Sequence, residues 1–390
     1  MKLTVDTTSK PIRLLVMSDA VPERNGVGSY YADLTQHLLA DVEVETAELI
    51  YPMCDRMAAH SYLTAPLPGD KTQPIQLPKP GHLISEFKSI NPNVIVVPTP
   101  GPYGMAGLYL ARRYKIPLIA GFHTHYEALT ELYWNRFTGS LTRRFLAGCN
   151  RLIFRYSHSV LANSPDMCRQ AQNIGAKNIA LMGTSVAPEF LTTPMTPANQ
   201  EIKSILFAGR LAKEKNIEAV IDAAKNHRDI QFTIAGDGPL HNEIRKAADF
   251  IPNIAMTGWV SRDRLLDLID SHDALLLPSH IESFGTVALE GMARGRIVIV
   301  SQRCGLTEWA DLNDAVIQIG ADETATETIQ RIQAASPQWK IDIGTRAAAA
   351  ARDINGWNTQ FWINLLTECT SENSDSDTNI SAPVVDTEAA

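Results

Sequence analysis

A chain of 390 residues is longer than one ordinary hydrophobic core organises, so two domains are the expectation. With 45% hydrophobic and 20% charged residues, the composition is that of a soluble globular protein. The net charge of −8 falls to about −3 without the five acids of the base-free last twenty residues, which argues against a general nucleic-acid binder.

The five cysteines (Cys54, Cys149, Cys168, Cys304 and Cys369) are scattered, with no C-x-x-C, and read as reduced thiols rather than a disulfide frame or zinc site. The start, "MKLTVDTTSK", has no apolar stretch of the signal-peptide kind, and no apolar run approaches the roughly 20 residues that span a bilayer. A cytoplasmic protein is expected.

In chain order, strand candidates fall at 12–18, 93–98, 117–122, 159–163 and 178–182, then at 204–209, 230–236, 253–258, 274–279 and 296–301. Their hydrophobicity is continuous rather than alternating, which suits strands covered on both faces. Helical patterns lie between them, so the rhythm implies two doubly wound α/β units. The Thr- and Pro-rich "FLTTPMTPANQE" reads as the linker, giving a first domain over 1–190, a linker over 191–202 and a second domain over 203–355. "INGWNTQFWINLLTEC" carries Trp357, Phe361 and Leu365 at helical spacing, and a helix over 356–370 either closes the second domain or crosses back to the first. The acidic segment 371–390 reads as disordered.

Open parallel sheets bind ligands beyond the carboxyl ends of their strands, so the chemistry is sought in the strand-to-helix loops. "SDAVPERNGVGSYYADL" places Gly26 and Gly28 before a helix, where bare amides either approach an anion or make a flexible turn. "FAGRLAKEKN" sets Arg210 and Lys215 beside another helix start, two cations suited to a diphosphate or simply a solvated loop. "AGDGPL", with Asp237, and "TGWVSRDRL", with Val260, are turns first, although a nucleotide base could lie near Val260.

"HIESFGTVALEGMARG" holds Glu282 before a helix and Glu290 about 12 Å further along it, inside an apolar string. A carboxylate packed there requires a partner. Either ribose hydroxyls supply it, or Arg294 at i+4 does.

Together these motifs resemble the retaining family 4 (group 1) glycosyltransferases, which include bacterial lipid glycosyl- and mannosyltransferases. The resemblance covers nearly the whole chain in order: glycine loop, "FHTHYEAL", "GRLAKEK", "GDGP", the E-x7-E pair and "GWNTQFW". It implies a GT-B fold, two Rossmann-like doubly wound parallel-sheet domains facing a cleft, with the terminal helix crossing back to the first domain. It also implies that Arg210 and Lys215 hold the donor diphosphate and that Glu290 binds the ribose. Glu282, with the amides of Ser283, Phe284 and Gly285, would hold the transferred sugar. Gly26 would lie beneath the diphosphate from the opposite domain, and His123 near sugar and acceptor. The chain departs from the family at Asn25-Gly26, where Gly-Gly is usual, at "GTSVAPEF", and at "GRIVIVS", which lacks a common proline.

The only D-x-D lies at 375–377 in the tail, so fixed cations and amides would neutralise the leaving diphosphate and no metal or other cofactor is expected. The expected reaction moves a hexosyl unit from a UDP- or GDP-linked sugar to an acceptor hydroxyl with retention. The rival is an epimerase acting on the donor alone; a non-catalytic sugar binder would lack a donor residue. For the acceptor, a glycan or a lipid, the one hint is 133–158. Arg136, Arg143, Arg144, Arg151 and Arg155 interleave there with Trp134, Phe137, Phe145 and Phe154. Such a segment either lies on an anionic membrane or packs on the first domain with its arginines solvated.

Overall fold

The computed structural model describes residues 11–22, 26–57, 61–67, 70–124, 136–196 and 201–371. Asn25, Trp134, the end of "FHTHYEAL" and the 372–390 tail with its D-x-D lie outside the described residues, as do the side chains of Arg136 and Phe137.

The N-terminal half runs β1 (Ile12–Met17), α1 (Gly26–Leu39), β2 (Val44–Ile50), a hairpin of β3 (Ser61–Leu67) and β4 (Asp70–Pro78), α2 (Pro80–Ile90) and β5 (Val94–Val97). It continues through α3 (Pro102–Tyr114), β6 (Leu118–Phe122), α4 (Arg136–Tyr156), β7 (Ser159–Ala162), α5 (Pro165–Ile174), β8 (Ile179–Leu181) and α6 (Pro188–Thr192). The C-terminal half runs β9 (Ser204–Ala208), α7 (Ile217–Asn226), β10 (Gln231–Ala235), α8 (His241–Ala248), β11 (Ile254–Gly258), α9 (Arg262–Ser271) and β12 (Ala274–Leu277). Then come α10 (Thr286–Ala293), β13 (Ile297–Ser301), α11 (Ala310–Asn313), β14 (Ile317–Ile319), α12 (Ala325–Gln333) and α13 (Pro337–Ser371).

Each half builds a six-stranded parallel sheet, ordered β2-β1-β5-β6-β7-β8 in the first and β11-β10-β9-β12-β13-β14 in the second. Both are doubly wound, and strand order reverses between β1 and β5 and between β9 and β12. Those switch points are where an open sheet leaves a crevice. The loops after β1, β9 and β12 are the ones that carry the glycines, Arg210 with Lys215, and Glu282.

Continuous apolar strands follow from burial on both faces. Along β1, Leu15 and Met17 enter one core, while Ile12, Leu14 and Val16 enter the other. That second core is completed by Trp362, Ile363 and Leu366 of α13. The N-terminal part of the same helix puts Ile343, Ala347 and Ala351 into the core of the second domain. The segment expected to begin at 356 is therefore the second half of one 35-residue helix shared by both domains. Asn355 and Asn358 fasten it: Val186 N donates to Asn355 Oδ1 at 2.9 Å, and Asn358 donates to Ser185 Oγ at 2.9 Å.

Two features were not anticipated from the sequence. β2 and β14 are edge strands, exposed enough to carry polar residues, and so lack the apolar run that marks a central strand. The β3–β4 hairpin is a separate antiparallel pair with Leu63 opposite Leu77. No helix among the described residues is long and apolar enough to cross a membrane.

Candidate active site

A cleft of about 740 Å³ opens between the two sheets. It is lined by Gly26 and His123 of the first domain and by Arg210, Lys215, Asp237, Val260, Glu282, Ser283, Phe284, Gly285 and Glu290 of the second. Of the residues assigned from the sequence to the donor and its reacting centre, only Gly28 lies off its wall. A Cβ at Gly28 would sit 2.6 Å from the Val21 carbonyl carbon, so glycine there lets the incoming loop pack on α1. At Gly26 a Cβ would lie 3.8 Å from Thr286 Oγ1, the first residue of α10. The N-termini of α1 and α10 thus face each other across the cleft, and their dipoles favour an anion between them.

The β9 loop turns through a short helical stretch, Lys213–Lys215, and Asn216 then ties it to β12 by donating to the Pro278 carbonyl at 3.0 Å. That link brings the Lys215 ammonium onto Glu282 Oε2, to which Ser279 Oγ also donates at 3.4 Å. Burial alone would pull the lysine pKa down; the Glu282 carboxylate outweighs it and holds the ammonium above its ordinary value. Arg210 Nη1 donates to Glu214 Oε1 at 3.2 Å. After Glu282 the chain reverses at Gly285, whose φ of +99° suits glycine and whose Cβ would meet Cys304 Sγ at 2.8 Å. The Phe284 ring is buried, so that residue meets the cleft by its backbone. Asp237 Oδ1 accepts from the Gly238 amide at 2.7 Å and lies 3.2 Å from His241 Nδ1.

His123 is buried, with Nε2 2.8 Å from the Tyr31 hydroxyl. Burial drives its pKa down to about 3, so the imidazole is neutral at physiological pH.

Glu290 is paired, but not with Arg294. Its Oε1 lies 2.8 Å from Arg262 Nη2, and the same nitrogen is 2.6 Å from Asp33 Oδ2 on α1. Arg294 instead grips Asp270 at 2.7 and 2.9 Å and donates to the carbonyls of Phe190, Thr193 and Pro194, clamping the linker to the second domain. The i+4 rule fails because Arg294 is the C-cap of α10 and its buried guanidinium is taken up by Asp270 and the Phe190, Thr193 and Pro194 carbonyls. Burial raises the pKa of Glu290, with Arg262 opposing and Glu189 adding to the rise. Asp33 is pushed up to about 8, mainly by burial, again with Arg262 opposing.

Sequence reasoning overlooked Asp33, Arg262, Tyr31 and the half-exposed Trp259, which lines the cleft beside Val260. Arg262 did leave a signal. It is the first residue of α9, directly after the Ser261 N-cap, where the helix dipole disfavours a cation. Such an arginine implies carboxylate partners from elsewhere.

Two further links close the far side of the cleft. Trp309 Nε1 donates to the Asn163 carbonyl at 2.9 Å, and Glu308 caps α5 through the Asp166 amide at 2.9 Å. Among the described residues, no three His, Cys, Asp or Glu side chains are grouped so as to hold a metal ion.

The sequence matches the family described as "Glycosyltransferase Family 4" over residues 24–190 and that described as "Glycosyl transferases group 1" over residues 194–338. It is 24% identical over 386 residues to a GDP-mannose-dependent alpha-mannosyltransferase of Corynebacterium glutamicum, covering 92% of this chain and 88% of that protein. A sulfoquinovosyl transferase of Arabidopsis thaliana is 24% identical over 255 residues; the match takes in 62% of this chain and spans about half, 49%, of that protein. Among solved structures, sucrose-phosphate synthase from Thermosynechococcus elongatus superposes with a TM-score of 0.70 at 16% identity, over 92% of this chain and 100% of that one, a likeness of fold. With both halves matched and the two sheets facing a cleft, the chain belongs to the group 1 glycosyltransferases and has their GT-B fold.

Proposed function

We propose that the protein is a retaining, metal-independent hexosyltransferase that uses a nucleotide-diphosphate sugar, with GDP-mannose the first donor to test. The observation that carries this reading is the convergence of Arg210, the Lys215–Glu282 pair and Glu290 on one cleft, beside the opposed N-termini of α1 and α10. Leaving-group departure puts charge on the diphosphate. Arg210, Lys215 and the helix amides stabilise it where it develops, which is the largest contribution such a site makes. Glu282 then faces the sugar, whose anomeric carbon becomes oxocarbenium-like, and Glu290 takes the ribose hydroxyls. The acceptor hydroxyl attacks the face the diphosphate leaves and passes its proton to the departing phosphate oxygen, so no enzyme nucleophile is needed. His123, neutral and held by Tyr31, positions the sugar or acceptor rather than accepting the proton. The mannosyltransferase relative supports GDP-mannose as donor; an α-product from that α-linked donor is retention. The named relatives are transferases, which does not favour the epimerase alternative.

For the acceptor we favour a lipid-linked hydroxyl at an anionic membrane surface. Along α4, Arg144, Phe145, Arg151, Leu152 and Arg155 are exposed at helical spacing, which supports an interfacial face. Phe154 does not belong to that face: it is buried against Phe122, with ring centroids 5.6 Å apart.

A melting panel of GDP-mannose, UDP-glucose and ADP-glucose, followed by turnover with and without chelator, tests the donor half. Stabilisation by one donor and chelator-insensitive transfer with retained configuration are expected. No shift with any donor would overturn the site, and loss of activity on chelation, restored by magnesium, would overturn the metal-independent mechanism. An isomerised sugar nucleotide formed without acceptor would favour the epimerase. Co-sedimentation with anionic vesicles, weakened by salt, tests the surface; no binding at low salt rejects it.

A further inference from the structure

Arg262 is where the two walls of the cleft meet. Its Nη2 contacts Glu290 Oε1 at 2.8 Å and Asp33 Oδ2 at 2.6 Å, and its Nε lies 3.9 Å from Glu189 Oε1. Asp33 belongs to α1 of the first domain, while Glu290 and Arg262 belong to α10 and α9 of the second. The side chains of Asp33, Glu290 and Arg262 are 5%, 4% and 15% exposed, so this set is sheltered from water. Two buried carboxylates on one nitrogen are in excess of their cation, and an uncompensated buried charge is costly. A proton shared within the set resolves the excess, in keeping with the raised pKa values of both Asp33 and Glu290.

We propose that Arg262 and Asp33 are positioning residues for the donor. Arg262 holds the Glu290 carboxylate in a fixed orientation, and Asp33 holds Arg262 from the opposite domain, so the acceptor-side domain completes the ribose site. The inference rests on the reading of Glu290 as the ribose ligand. It goes beyond that reading by making donor affinity depend on a residue of the first domain that itself touches no ligand. Separating the domains would remove the Asp33 contact and leave Arg262 held by Glu290 of its own domain.

The test compares GDP with 2′,3′-dideoxy-GDP by calorimetric titration of the full chain, because the ratio of the two dissociation constants reports ribose recognition and not general stability. If GDP gives no heat, UDP and its dideoxy analogue replace the pair. The wild-type protein should prefer the ribonucleotide by at least about tenfold, as expected for hydrogen bonds to a carboxylate. Glu290→Gln should remove that preference. Arg262→Gln and Asp33→Ala should lose most of it, and Asp33→Asn should restore it at neutral pH by mimicking the protonated acid. If Glu290→Gln loses the preference while Arg262→Gln and Asp33→Ala keep the wild-type ratio, the inference fails and the ribose reading stands. If the wild-type protein shows no preference, or Glu290→Gln retains it, the ribose reading itself fails. Should Arg262→Gln melt before titration, Asp33→Ala, which lies outside the donor domain, decides.

Discussion

Glu282 and Glu290 stand eight residues apart in one loop-helix segment, yet their partners belong to different parts of the molecule. Glu282 is held by Lys215, and both are carried by second-domain loops tied together through Asn216 and the Pro278 carbonyl. Glu290 is held by Arg262, which is in turn shared with Asp33 of the first domain. Both carboxylate–cation pairs lie within the second domain, but the Arg262 pair has a third member, Asp33, whose contact exists only when the domains meet. On the proposed reading, the two neighbouring carboxylates have separate tasks, Glu282 at the transferred sugar and Glu290 at the ribose, and they differ in the origin of the charges around them.

The contrast can be broken most severely at Arg294, the partner Glu290 does not use. Arg294→Ala should cost about 3 kcal/mol or more in denaturant melts, because it leaves linker carbonyls and Asp270 short of their buried donor. Nucleotide affinity of the folded fraction should stay unchanged; a large loss of affinity would return Arg294 to the donor site.

Glu282→Gln should lower kcat by roughly 10²-fold, about 2.7 kcal/mol, with little change in donor KM, since its contact is felt where charge develops. Steady-state kinetics with equal losses in kcat and affinity would contradict that division of labour.

Glu290→Gln should weaken donor binding by about tenfold while sparing stability, because Arg262 keeps Asp33 as a partner. Titration calorimetry and thermal melts on the same sample read the two quantities.

The smallest effect expected is a slope with pH. Asp33 is pushed up to about 8 from the usual carboxylate range, so the folded state holds a proton that the unfolded chain releases. The stability this confers is complete below about pH 4 and is lost as pH rises towards 8. The groups facing Asp33 are Arg262, Glu290 and Glu189. Between pH 7 and pH 8 the loss should be on the order of 1 kcal/mol, and Asp33→Asn should flatten it; urea melts at the two pH values provide the check.

What could be read from the chain alone follows from local rules. Eight of the ten strand candidates are central strands, recognised because parallel strands buried on both faces, such as "LLVM" and "ALLL", must be apolar throughout; β8 and β11 are edge strands that carry short apolar runs all the same. β2 and β14 escaped because an edge strand has no such requirement, and the β3–β4 hairpin because its pairing is with itself, away from either sheet. The site loops were legible for a related reason: a cation, a carboxylate or a bare glycine just after an apolar run stands at the carboxyl end of a strand, and the two sheets bring those ends to one cleft. The partner of Glu290 was not legible. Sequence offers Arg294 at the fourth position, but the helix ends there and Arg294 turns to the linker, while Arg262 arrives from the neighbouring helix and Asp33 from the other domain. Residue type and spacing determine which groups line a crevice; which buried charges meet is decided by how helices from separate domains pack, because an ion pair depends on distance in space and not on separation along the chain.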